Sequence, residues 1–152
     1  MRVSSVSTKE KSLLASLIIP LLVFGNFFVD TLDVVLGREP IANIGTSLIA
    51  AVVAVIILEI IVQSLLASLS ASQKDDERDR LIERMSFRNG YICLSVGIWI
   101  WIAHTTIPSW WPALPSSPYL TGALVPVLLL LLFVIAEVTV TVTRLFYYRR
   151  GI

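Results

Sequence analysis

Four long stretches nearly free of charge constrain this chain more than anything else in it. They cover residues of about 12–29, 44–69, 91–107 and 120–147. A helix crosses the hydrocarbon layer of a bilayer with roughly 20 apolar residues. Inside lipid, a backbone has no solvent to bond, so runs of this kind fold as helices. The third run sits at the lower edge of the spanning range, and the fourth is long enough to tilt or to extend beyond the membrane. The expected architecture is an all-α polytopic membrane protein with four transmembrane helices, residues 1–152 forming a single domain.

Composition narrows the function classes. The chain is 56% hydrophobic and 15% charged, against roughly 25% charged in soluble domains. This argues against an ordinary soluble enzyme, a disordered tail or a secreted disulfide scaffold. A net charge of +1 is too balanced for a nucleic-acid surface. The lone cysteine, Cys93, has no partner for an internal disulfide or a Cys-x-x-Cys site. His104 is the only histidine, so no metal cluster is expected, and no cofactor motif is present.

The basic residues orient the spans. With the N-terminus inside, eleven of the twelve basics fall on the cytoplasmic side, and only Arg38 falls outside. That distribution follows the positive-inside rule and places both termini, with loop 72–90, in the cytoplasm. Arg2, Lys9 and Lys11 precede the first span, but no Ala-x-Ala-like cleavage site follows it. It is therefore read as an uncleaved helix rather than a signal peptide. Asp30 and Asp33 are expected to close it, and Pro40 to mark the approach to the second. The outer loops are expected at 30–43 and 108–119. The second carries Trp110, Trp111 and Tyr119 among prolines, which suits a stiff cap in the headgroups.

Loop 72–90 holds most of the polar content. Its acids crowd the first turn of a helix and its bases the last, as the helix dipole favours. Asp76–Arg80 is an i,i+4 pair, and Glu77–Arg80 and Arg80–Glu83 are i,i+3 pairs. Leu81, Ile82, Met85 and Tyr91 make an interrupted apolar stripe. The segment reads as a charged helix joining the third span near Asn89–Gly90. Asp76, Glu77, Arg80, Glu83, Arg84 and Arg88 are candidates for docking a cytoplasmic protein; the same arginines also suit anionic lipid.

Two acids lie within the spans. At 1.5 Å per residue, Glu59 falls roughly 16 Å from the cytoplasmic edge and Glu137 roughly 10 Å, close enough in depth to share one pocket. An ionised carboxyl at such depth is costly on the lipid face, so it must face the bundle interior, become neutral or find a partner. Gln63 lies at i+4 from Glu59; Thr141 and Arg144 lie at i+4 and i+7 from Glu137, where the arginine can reach back to the carboxylate. Glu59, Glu137, Gln63, Thr141 and Arg144 are the ligand or ion candidates. A structural hydrogen bond between helices explains the acids equally well. Ser47-xxx-Ala51 and Ala50-xxx-Ala54 offer small faces for close helix approach.

Two stretches are informative together. DDERDRLIERMSFRNGY at 75–91 and AEVTVTVTRLFYYRRG at 136–151 cover about a fifth of the chain. The first resembles the charged loop, and the second the last helix and Tyr-Arg-Arg-Gly terminus, of small four-helix bacterial inner-membrane proteins of unknown function. Those proteins often carry a cation three residues after the glutamate; here that position is Val140. They are often encoded beside small helix-turn-helix regulators. The resemblance implies a bacterial inner-membrane location and a cytoplasmic regulator as partner.

The leading expectation is a non-enzymatic interaction or regulatory protein that docks a cytoplasmic protein through its charged loop. The alternative is a small transporter, or transporter subunit, using its glutamates for proton or cation coupling. No nucleophile accompanies the acids, so an enzyme is not expected. The lipid bilayer is the expected surrounding, and a homo-oligomer is compatible with so small a bundle.

Overall fold

The computed structural model describes residues 8–36, 38, 44–69, 76–110, 122 and 124–150. They form four helices: α1 (Thr8–Val35), α2 (Ile44–Leu69), α3 (Glu77–Trp110) and α4 (Val125–Arg150). All four are long and apolar enough to cross a membrane. Pro40, Trp111 and Tyr119, expected to mark the loops, lie outside the described residues.

The helices overrun the expected boundaries. Asp30 and Asp33 do not close the first helix but lie within α1. Beyond the end of the helix, Arg38 pairs with Asp33 at 3.0 Å. Helical hydrogen bonding needs no apolar environment, so α1 continues where its side chains turn polar. As expected, the charged segment runs into the third span, the two forming one helix of 34 residues through Asn89–Gly90. Residues 108–110, expected in an outer loop, are still helical. Pro126 lies in the first turn of α4, where a missing N–H costs nothing.

Contacts are most extensive between α3 and α4, then between α1 and α2, then between α1 and α4. The helices thus follow the order α2, α1, α4, α3 in space. Phe24 and Phe27 of α1, Ala51 and Val55 of α2, and Val127 and Val134 of α4 form the apolar core. Most remaining apolar side chains, such as Ile49, Ile60 and Trp99, face outward.

Small residues set the α3–α4 seam. Ser86 is fully buried, its hydroxyl donating to the Ile82 carbonyl at 2.7 Å. Gly90 faces Val140 and the Ala136 carbonyl, and Gly97 faces Leu132. Between them, Thr139 Oγ1 lies 3.7 Å from Cys93 Sγ. The small pairs noted on α2 contribute less: Ala51 is buried, but Ser47 and Ala50 are exposed. Of the stripe expected on the charged segment, Ile82 is buried (3% exposed) while Leu81 and Tyr91 face out. The buried face of α3 runs instead through Ile82, Ser86, Gly90 and Gly97, because only small side chains let two helix backbones approach this closely.

Candidate functional site

Glu59 and Glu137 line one cavity of about 540 Å³. It lies between α1, α2 and α4, with Phe87 contributed by α3. Thr141 and Arg144 complete its α4 side, one and two turns beyond Glu137, and Ser16 and Pro20 face it from α1. Three phenyl rings, Phe24, Phe87 and Phe133, belong to the lining. Glu59 is half-buried and Glu137 is exposed. The two carboxyls are near enough to interact electrostatically, and Ser16 hydrogen-bonds Glu59. Pro20 has no N–H, so the carbonyl of Ser16, four residues back, loses its helical donor.

Gln63 is placed differently from the other candidates. It ties α2 to α1, accepting from Ser12 Oγ and donating to Ser16 Oγ, both at 2.6 Å. Ser16 therefore links this clamp to Glu59. Thr141 donates to the Glu137 carbonyl at 3.0 Å, a local bond that leaves the carboxyl itself unengaged.

Arg144 does not reach back to Glu137. Its Nη2 bonds Glu83 of α3 at 3.1 Å, and its guanidinium lies 4.7 Å above the Phe87 ring. Its Nε is buried with no hydrogen-bond partner among the described residues. The cross-helix partner wins because the fold brings Glu83 alongside, whereas Glu137 lies seven residues away on the same helix. A second tie lies one turn on, where Tyr148 donates to Asp79 at 2.9 Å. Arg144 therefore belongs at once to the cavity and to the fastening of the charged segment.

The segment itself starts on a reciprocal cap. Asp76 Oδ1 accepts from the Glu77 N–H at 2.7 Å, and Asp79 Oδ2 accepts from the Asp76 N–H at 3.3 Å. Such a cap satisfies donors that a helix start leaves open. None of the three pairs expected around Arg80 forms a salt bridge among the described residues; Glu83 is taken by Arg144, and Asp76 accepts from the Glu77 N–H. Arg80, Arg84 and Arg88 are exposed, and their four-residue spacing aligns them on one side of α3. Asp76 and Glu77 are exposed at its start.

A second cavity, of about 510 Å³, lies at the opposite end between α1, α3 and α4, lined by Trp101, His104 and apolar side chains. No group of three or more His, Cys, Asp or Glu that could hold a metal ion occurs among the described residues.

Sequence reasoning isolated the two glutamates, since acids in apolar runs stand out. It missed Ser16, Pro20, Phe24, Phe87 and Phe133. For the three on α1 the signal was a periodicity, Ser12, Ser16, Pro20 and Phe24 recurring every four residues; Phe87 on α3 and Phe133 on α4 had no such local signal. Comparison with protein-family models, curated proteins and solved structures gives no match.

Proposed function

We propose that the chain is a non-enzymatic regulatory protein of a bacterial inner membrane. In this reading both termini are cytoplasmic, and the charged start of α3 docks a cytoplasmic protein. The placement of Arg144 carries the proposal. It lines the cavity that holds Glu59 and Glu137, and it is bonded to Glu83 on the docking segment. A change of charge in the cavity alters what Arg144 faces, and with it the hold on Glu83. A ligand or proton that favours one placement of Arg144 shifts the population of docking-competent segments. The face offered to a partner is the row Arg80, Arg84 and Arg88, which suits an acidic surface. The resemblance of residues 75–91 and 136–151 to proteins encoded beside helix-turn-helix regulators supports a regulator as that partner.

The test is affinity capture from native membranes in mild detergent, with mass spectrometry of what is retained. Capture of one soluble protein by the native chain, its loss on reversing Arg80, Arg84 and Arg88 to glutamate, and altered yield with Arg144→Gln are expected. Undiminished capture by the charge-reversed chain would overturn the docking reading.

One observation favours a second reading, a small proton- or cation-coupled transporter: the two glutamates share one cavity among the apolar helices. It predicts a flux in reconstituted vesicles that Glu59→Gln abolishes with folding intact. Flux that survives both Glu59→Gln and Glu137→Gln would exclude these acids as carriers.

A further inference from the structure

Among the described residues, neither Glu59 nor Glu137 has a cationic partner within salt-bridge distance; the nearby guanidinium of Arg144 is bonded to Glu83. Two carboxyls lining one mostly apolar recess, Glu59 half-buried and Glu137 exposed, give it a negative potential when ionised, which favours a cationic occupant. The lining decides which cation fits. A hard metal ion wants six or more oxygen ligands, or several retained waters. The oxygens offered are the two carboxyls, the Ser16 carbonyl left without its helical donor by Pro20, and the hydroxyls of Ser16 and Thr141, which are already engaged in hydrogen bonds. Among the described residues no cluster that could hold a metal ion is found. Phenyl rings and aliphatic side chains make up most of the rest.

An organic cation has the opposite needs: apolar surface, ring faces for its charge and a carboxylate to neutralise it. The cavity volume of about 540 Å³ falls within the range of small-molecule sites. An independent observation comes from Arg144, whose delocalised guanidinium already rests on the Phe87 face at 4.7 Å. The protein's own side chain thus displays the contact such a ligand would make.

We propose that this cavity binds a hydrophobic organic cation, neutralised by Glu59 and Glu137 and packed against Phe24 and Phe133, the Phe87 face being taken by Arg144. The proposal deepens the regulatory reading by naming the class of signal that the cavity takes, yet it stands on the cavity's chemistry alone. Binding places positive charge beside Arg144 and favours its bond to Glu83, so ligand and docking segment are coupled through one guanidinium.

The experiment uses the full chain in detergent, with tetraphenylphosphonium as probe and triphenylphosphine oxide as a neutral aryl control, measured by equilibrium dialysis. Saturable binding of the cation, no competition by the neutral compound and a loss of about tenfold or more in affinity for Glu59→Gln/Glu137→Gln are expected. Phe133→Leu is expected to weaken binding several-fold while the helical circular dichroism is kept. Absence of saturable binding to the native chain, or equal binding of cation and neutral control, would overturn the site. That comparison needs no variant, so it decides even if the double variant fails to fold. Partner capture without cation binding would sink this inference and leave the docking reading standing. Cation binding that leaves capture unchanged would keep the site and sink its coupling to docking.

Discussion

At Gly90 a Cβ would run into Val140 and come within 3.2 Å of the Ala136 carbonyl oxygen. Valine is stiff at χ1 and a helix carbonyl cannot turn aside, so alanine there must push α3 away from α4. Overpacking of this kind costs about 1–3 kcal/mol, more than the roughly 1 kcal/mol that alanine gains over glycine in a helix. At Gly97 the obstacle is Leu132 Cδ2, 2.6 Å from the Cβ position, which a rotamer change can move. Gly90→Ala is therefore expected to destabilise the protein clearly, and Gly97→Ala to leave it nearly unchanged, in detergent unfolding followed by circular dichroism. Gln63→Leu removes both hydrogen bonds that join α2 to Ser12 and Ser16. With interhelical bonds in membranes averaging about 0.6 kcal/mol, a loss of about 1–2 kcal/mol is expected in the same assay. Gln63 was legible in the sequence as a polar residue at i+4 from Glu59, but its partners were not. They lie 47 and 51 residues away on another helix, and no local pattern encodes that distance.

At the scale of elements, α3 matters most because it does two jobs in one unbroken helix. Its inner part is held to α4 by small-residue packing, and its charged start by Arg144–Glu83 and Tyr148–Asp79. The Arg144–Glu83 pair is partly exposed, with side chains 23% and 55% accessible, and such bonds contribute only about 0–1 kcal/mol. The polar ties of the charged start are thus weak, and the burial of α3 is carried by Ile82, Ser86 and Gly90 just beyond its first turn; loosening of the first turn alone is what a segment that engages a partner needs. Glu83→Gln with Tyr148→Phe is expected to raise backbone hydrogen exchange several-fold across 77–84, while residues 93–107 keep their protection. Equal loosening along the whole of α3 would show the two parts to be one cooperative unit. The overall extent of the charged helix was legible from its acids and bases. Which side of it is buried was not, since Leu81 and Tyr91 are as apolar as Ile82.

For the whole molecule, the four helices bring the start of α1, the start of α3 and the end of α4 to one end. Ser12, Asp79, Arg80, Glu83, Arg144 and Tyr148 line a common recess there. In the proposed topology this end is cytoplasmic and the Trp110 end is not. In a Cys93→Ser background, single cysteines at positions 84 and 149 are expected to react with a membrane-impermeant thiol reagent only after intact cells are opened. One at position 110 is expected to react from outside. Reaction of all three from one side would refute the four-span topology.

Four helices able to cross a membrane were determined by the sequence alone, because apolar length is a local property that lipid reads directly. The clustering of basic residues at the ends of those helices was equally open to reading from the chain. Only the tertiary structure decided that Glu59 and Glu137 share a cavity, that Gln63 serves α1 rather than its own helix, and that Arg144 turns to Glu83 instead of Glu137. The reason is physical. Helices hydrophobic on every side can rotate against one another at little cost, so their facing residues are chosen by the shape of small side chains and by a few polar contacts between distant parts of the chain.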